Sequence, residues 1–281
     1  MQIFKEIGPL KQFLRQVRIQ KQTIGFVPTM GAIHEGHLNL IRAAKAENQL
    51  VIASIYVNPT QFNNPSDLEK YPRTIEKDIE RFTSVGCDVL FHPTNQEMYP
   101  KPSLLKFDFG GIDKILEGAF RPGHFSGVGL VVSKLFNIVA PDRAYFGQKD
   151  FQQFKVISQL VEELEFDLQL ICVSTTREAD GLAMSSRNLR LNTDDRNKAL
   201  ILFQSLNYAK EELLKKTDFK KIRKEVQQRC AAIDVKLEYF ELADRKNLSV
   251  LDSVKEADQA VLLMAAYVGE VRLIDNMFIE D

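Results

Sequence analysis

TIGFVPTMGAIHEGHLNLI, residues 23–41, is the stretch that decides the fold. Its β-branched and aromatic opening reads as a strand ending at Pro28, followed by a turn at Gly31 and a helix starting near Gly36. A strand–turn–helix of this kind is the first unit of a parallel sheet with crossover helices. Two histidines, His34 and His37, flank Gly36 at the helix start, where unpaired backbone N–H groups and the helix dipole favour anions. Glycine there permits close approach of a bulky ligand. The plainer alternative is that one histidine caps the helix and the other packs. A metal reading is weaker, because HEGH lacks the i, i+4 spacing of HExxH.

Outward from this stretch the alternation continues. An amphipathic helix over 10–20 precedes it. A continuous apolar run, LVIASIYV at 50–57, reads as a strand buried on both faces. A charged helix at 74–85, a strand at 87–92, an apolar helix at 126–139, a strand at 144–147, a helix at 151–164 and a strand at 167–173 follow. The fold class expected is α/β, a Rossmann-like, doubly wound parallel sheet whose ligands lie beyond the carboxyl ends of the strands. After residue 175 the texture changes to two charged helices over 194–232 and short strands at 236–242, 260–267 and 271–275. This predicts a nucleotide- and substrate-binding domain at 1–175 and a smaller α+β lid domain at 176–281.

The 281 residues suffice for two domains of about 150 residues or one large one. With 44% hydrophobic and 27% charged residues the chain is globular rather than disordered. It has no apolar run of about 18 residues, so no membrane span is expected, and it opens without a signal peptide, so a cytoplasmic protein is expected. A net charge of −1, balanced on both sides of residue 175, argues against nucleic acid as a partner. Cys87, Cys172 and Cys230 form no CxxC pair and read as buried thiols. Gly127-Val128-Gly129 lacks the third glycine of a dinucleotide fingerprint and reads as helix packing.

Four further blocks carry candidate chemistry. NPTQF at 58–62 sets Asn58 and Gln61 beyond an apolar strand, where amides suit a polyol or carboxylate; a plain Asn-Pro turn is the alternative. AYFGQKDFQQF at 144–154 puts Lys149 at a helix start as a phosphate point charge, with Asp150 as a cap. DGLAMSSRN at 180–188 aligns Ser185, Ser186 and Arg187 as an oxyanion site. RPGHFSGV at 121–128 places Arg121 and His124 in a glycine-bounded loop.

PTMGAIHEGH, NPTQF, YPRT at 71–74, RPGHFSGV, YFGQKDFQQ and DGLAMSSRN, in this order and at these separations, resemble the pantoate–β-alanine ligase family. HEGH is similar to the HIGH box, and MSSR to the KMSKS-type signature, of the wider nucleotidylyltransferase superfamily. The resemblance covers about residues 23–190. It implies ATP-dependent joining of pantoate and β-alanine through a pantoyl-adenylate, with magnesium, in a homodimer. It also implies site residues. Met30, Gly31, Ala32, Ile33, His34, Glu35, Gly36 and His37 would hold ATP, with His34 and His37 at the phosphates and His37 as proton donor. Gln61 would be shared by pantoate and β-alanine, and Gln153 would touch pantoate. Gly147, Gln148, Lys149 and Asp150 would bind nucleotide, with Lys149 catalytic at phosphate. Thr176 would meet adenine through its backbone, and Met184, Ser185, Ser186 and Arg187 would clamp the triphosphate. Asn58, Tyr71, Arg121 and His124 are looser substrate-site candidates. No metal ligand is expected from the protein. Thr176 stands where an aliphatic residue is common, and Leu130 where threonine is expected. The alternative is another nucleotidylyltransferase with a different acceptor.

Overall fold

The computed structural model describes residues 1–256 and 259–279 of the chain. The chain forms two compact units, Met1–Gly147 with Gln152–Ser174, and Gln148–Phe151 with Thr175–Asp281.

The first unit is built on six strands: β1 (Gln2–Phe4), β2 (Ile24–Thr29), β3 (Leu50–Ile55), β4 (Val89–Phe91), β5 (Arg143–Gly147) and β6 (Gln169–Val173). They form one sheet in the order β1-β4-β3-β2-β5-β6, and every pairing is parallel. This is the helix-flanked parallel sheet that the alternation predicts. Phe26, Ile52, Phe91 and Phe146 pack on one face, and Val27, Val51, Ala53, Leu90 and Tyr145 on the other. Both faces are therefore covered, which is why LVIASIYV reads as one unbroken apolar run. Each fully buried large side chain contributes about 1.5–3 kcal/mol.

The chain fills one side of β2 with β3 and β4, then crosses to β5 and β6. The topological switch point therefore lies between the carboxyl ends of β2 and β5. Strands β2 and β3 are in register to their last residues, Thr29 opposite Ile55. The turns that follow them accordingly leave the sheet side by side.

Several details differ from the sequence reading, which leaves out the short helices Pro65–Glu69, Asn95–Met98 and Glu117–Phe120. β1 is absent from that reading, since three residues are too few to show a period. Cys172 is exposed, because β6 is an edge strand; Cys87 and Cys230 are buried. The segment expected to hold two helices carries three, Thr193–Lys198, Leu200–Leu214 and Phe219–Ala232.

In the second unit these helices accompany an antiparallel sheet of β7 (Val235–Asp244), β8 (Ala260–Val268) and β9 (Val271–Ile279), in that order. Its core includes Leu206, Phe219, Ile222, Phe240, Leu262 and Met264. No helix among the described residues is long and apolar enough to cross a membrane.

Candidate active site

The turn after β2 is held from behind. Gly31 and Ala32 both have positive φ, 87° and 50°. Only glycine adopts this region without strain, so Ala32 needs outside support. Asp78, buried on the helix Ile75–Ser84, supplies it. The Ala32 N–H donates to Asp78 Oδ2 at 3.0 Å and the Ile33 N–H to Oδ1 at 2.8 Å. The Thr74 hydroxyl donates to Oδ1 at 3.1 Å, and the Arg81 guanidinium donates to the Ile33 carbonyl. The YPRT block thus brings Thr74 to the turn that carries the histidines. Ala32 and Ile33 are buried with their amides on Asp78, so they shape the turn and offer no N–H outward.

What the turn presents is the start of the helix Glu35–Glu47. Among the described residues the N–H groups of Glu35 and Gly36 have no hydrogen-bond partner, as the first turn of a helix requires. The His34 and His37 rings lie against each other, tilted by 34° with 4.0 Å between centroids. The His34 N–H donates to His37 Nδ1 at 3.3 Å. His37 Nδ1 is therefore an acceptor, and a neutral ring carries its hydrogen on Nε2.

Beside this stands the turn Pro59–Gln61. Asn58 is fully buried and its amide is in use at both ends. Nδ2 donates to Gln61 Oε1 at 3.0 Å and to the Gly127 carbonyl at 3.2 Å. Oδ1 accepts from the Thr60 hydroxyl at 3.0 Å and from the Tyr99 hydroxyl at 3.1 Å. Burial pushes the Tyr99 phenol up, which keeps it a donor. Asn58 therefore orients Gln61. His124 Nδ1, 2.8 Å from the Gln61 carbonyl, is a donor and pins the same turn to the helix His124–Val139. Gln61 Nε2 reaches Met30 Sδ at 3.2 Å, which joins the two turns.

Gly127 explains the GVG sequence. A Cβ there would lie 2.2 Å from the Thr60 carbonyl oxygen, so the helix meets the turn backbone to backbone. Gly129 instead faces side chains, with a Cβ there 2.8 Å from the Phe109 ring. Tyr71 packs edge-on against Phe62 at 5.7 Å, and Arg121 stands 3.9 Å from Glu117. Gln153 is half-buried. Its neighbour Gln152 is the buried amide, bonded to the Ile112 and Ile115 carbonyls and the Glu117 N–H.

In the second unit, Gln148–Asp150 is a single 3-10 turn that carries Lys149, whose Nζ lies 3.9 Å from Asp150 Oδ1. The Thr176 carbonyl accepts the Met184 N–H at 3.0 Å, which closes a turn over 177–183. Ser185 caps the 3-10 turn Ser186–Arg190, accepting the Arg187 N–H at 3.2 Å. Ser186 is buried and Arg187 half-buried.

The structure thus gathers Met30, His34, His37, Asn58, Gln61 and His124 in the first unit. Lys149, Thr176 and Met184–Arg187 belong to the second. Sequence reasoning misses Asp78, whose partners are side-on amides and leave no mark on spacing.

The family model described as pantoate-beta-alanine ligase matches residues 2–278. A pantothenate synthetase of Porphyromonas gingivalis is 44% identical over 281 residues, covering all of both chains. One from Thermotoga petrophila is 45% identical, covering 98% of this chain and 99% of its own. Among solved structures, a pantothenate synthetase from Thermus thermophilus superposes with a TM-score of 0.94 at 36% identity, covering all of both chains. Pantoate-beta-alanine ligase from Francisella tularensis, complexed with beta-gamma ATP and beta-alanine, gives 0.83 at 38% identity, covering 100% of this chain and 98% of that one.

Proposed function

The chain belongs to the pantoate–β-alanine ligase family, and from that premise we propose that it joins pantoate to β-alanine with ATP as the energy source, through a pantoyl-adenylate, releasing AMP and pyrophosphate. The observation that carries the reading is the junction of the histidine-bearing helix start with Gln61, fixed by the Gln61–Met30 contact at the sheet's carboxyl edge.

The chemistry follows from what each group offers. Adenylate formation is an in-line attack of the pantoate carboxylate on the α-phosphorus, with pyrophosphate leaving. Such a step depends on positioning and charge neutralisation. The outward N–H groups of Glu35 and Gly36, at the positive end of a helix dipole, suit phosphate oxygens. His37, whose Nδ1 accepts the His34 N–H, is assigned as the donor, through Nε2, to the oxygen on which charge develops. Lys149 and Arg187 are assigned as cationic partners of the phosphates. Gln61, with one amide hydrogen on Met30 and its Oε1 on Asn58, keeps a second N–H for the pantoate hydroxyl or carboxylate. The neutral amine of β-alanine then attacks the activated carbonyl and AMP leaves. A mixed anhydride must be kept from water, which gives the smaller unit a lid's task.

Among the described residues no three carboxylate, imidazole or thiolate groups converge to hold a metal. Magnesium enters the proposal as part of the nucleotide substrate, carried on phosphate oxygens. A homodimer working in the cytoplasm completes the proposal. The site assignments to Gly147, Gln148, Asp150, Gln153, Thr176, Met184, Ser185, Ser186, Tyr71 and Arg121 belong to it as well.

The test is radiolabelled ATP–pyrophosphate exchange. Exchange that needs pantoate but not β-alanine is expected. AMP release only with both substrates would retain the ligase and mean that pyrophosphate is held until the amine arrives. Silence in both assays would overturn the reading and leave a nucleotidylyltransferase with another acceptor.

A further inference from the structure

Asn276 is a buried polar residue on β9, outside every motif read from the sequence. Its backbone is in the β8–β9 ladder opposite Leu263, so its side chain is not needed for the sheet. All three hydrogen bonds of that side chain go to one place. Nδ2 donates to the Gln148 and Lys149 carbonyls, 2.9 Å each, and Oδ1 accepts from Gln148 Nε2 at 3.2 Å. The two Nδ2 bonds fix the backbone on both sides of the Lys149 Cα, and the Oδ1 bond holds the Gln148 side chain.

Asn276 is held in turn by its neighbour. Asp275 is buried and forms a two-pronged pair with Arg177, Nη1 to Oδ2 at 2.7 Å and Nη2 to Oδ1 at 3.0 Å. Burial pushes the Asp275 carboxyl up, against Arg177, the Asn276 N–H and Lys149, which all favour the charged form. Arg177 also donates to the Asn276 carbonyl at 3.2 Å and to the Gly181 carbonyl at 3.0 Å, and its guanidinium lies 4.7 Å from the Phe203 ring centroid. Gly181 sits in the turn that leads into Met184–Arg187, with φ 97° and a missing Cβ that would strike Phe203 at 2.1 Å. One ion pair therefore ties the Lys149 segment, through Asn276, to the turn at Gly181, which leads into Met184–Arg187. Lys149 and Arg187 are 38 positions apart in the chain.

We propose that Asn276, braced by the Asp275–Arg177 pair, is a positioning residue for Lys149, setting the height and direction at which that lysine meets the nucleotide phosphates. The inference rests on the proposed role of Lys149 and extends it to a residue that touches no substrate. A lysine side chain has four rotatable bonds, and fixing the backbone that carries it is how such a side chain gains a preferred site.

The experiment is a double-mutant cycle on the full-length protein. Asn276→Asp keeps the size but points an oxygen at two carbonyl oxygens. Asn276→Ala is the milder form should the first not fold. Pantoate-dependent formation of AMP-linked product is read in single turnover with enzyme in excess, beside KM for ATP, KM for β-alanine and the thermal midpoint. Either variant is expected to lower adenylate formation on the order of 10²-fold, to raise KM for ATP, and to leave KM for β-alanine within about twofold. On a Lys149→Ala background the same substitution is expected to cost less than about threefold, because residues acting as a unit are not additive. Equal losses on both backgrounds, or parallel rises in both KM values, would overturn the proposal while leaving Lys149 at the phosphates. Full activity of Lys149→Ala alone would overturn it differently, by removing the function on which it rests.

Discussion

Gly127→Ala is a one-methyl change whose consequence is readable from the structure. The added Cβ would lie 2.2 Å from the Thr60 oxygen, 2.5 Å from the Thr60 carbonyl carbon and 2.7 Å from Gln61 Cα. These are backbone atoms, so no side-chain rotation relieves the overlap. An ordinary contact needs about 3.5 Å, so the Pro59–Gln61 turn must retreat by about 1.3 Å. That retreat strains the 3.2 Å bond from Asn58 Nδ2 to the Gly127 carbonyl and the 2.8 Å bond from His124 to Gln61. Overpacking of this kind costs about 1–3 kcal/mol, a fall in Tm of several degrees for a unit of this size. A shift of about 1 Å at a substrate-orienting group costs on the order of 10²-fold in kcat/KM. The loss should appear in KM for pantoate, with KM for ATP nearly unchanged, because the histidine turn is braced by Asp78 and not by this helix. Steady-state kinetics in each substrate, with a thermal melt, is the assay. Gly129→Ala is the control: its Cβ meets the Phe109 and Phe107 rings, which can yield. It should destabilise without moving KM for pantoate. Wild-type kinetics for Gly127→Ala, or the same pantoate defect in both variants, would refute the reasoning.

His37→Ala removes the acceptor of the His34 N–H, so it should still fold, with Tm lowered by a few degrees, and lose at least about 10² in turnover; retained turnover would remove His37 from the reaction. Asp78→Asn turns an acceptor into a donor facing the Ala32 or Ile33 N–H. It should cost about 1–3 kcal/mol in denaturant unfolding and raise KM for ATP, with no change in either counting against the brace. Burial pushes the Cys87 thiol up to about 12 and the Cys230 thiol up to about 11, so neither forms thiolate near neutrality. At pH 8 a charged thiol reagent should label one cysteine per native chain, Cys172, and three after unfolding. Rapid native labelling of Cys87 would contradict the assigned burial.

Much of the architecture is legible in the sequence because its causes are local. A sheet buried on both faces leaves continuous apolar runs, and helices packed on one face leave a 3.6-residue period. The longer first-unit strands and helices follow these marks, whereas β1 and the short helices Pro65–Glu69, Asn95–Met98 and Glu117–Phe120 are too short to carry one. The Gly-Val-Gly at 127–129 is legible as packing, since a helix opening on two small residues invites close approach. The roles behind the motifs are less so. Asn58 and His124 stand out as substrate candidates because polar residues in glycine- and proline-rich loops suggest contact with a ligand. In the structure Asn58 bonds Gln61, Gly127, Thr60 and Tyr99, and His124 bonds the Gln61 carbonyl. A polar residue that binds its own backbone and one that binds a substrate look identical in a string.

The sequence by itself determined the fold class, the strand–turn–helix that carries His34 and His37, and the family, because each is written in neighbouring residues. The tertiary structure alone decided which side chains support which. Asp78 reaches Ala32 and Ile33 across 46 and 45 positions, Asn276 reaches Gln148 and Lys149 across 128 and 127, and Arg177 finds Asp275 across 98. Such bonds form between groups that are distant in the chain and are made adjacent only by burial, where an unpaired polar atom costs too much to persist. No periodicity records them, so they become visible only when the chain is closed on itself.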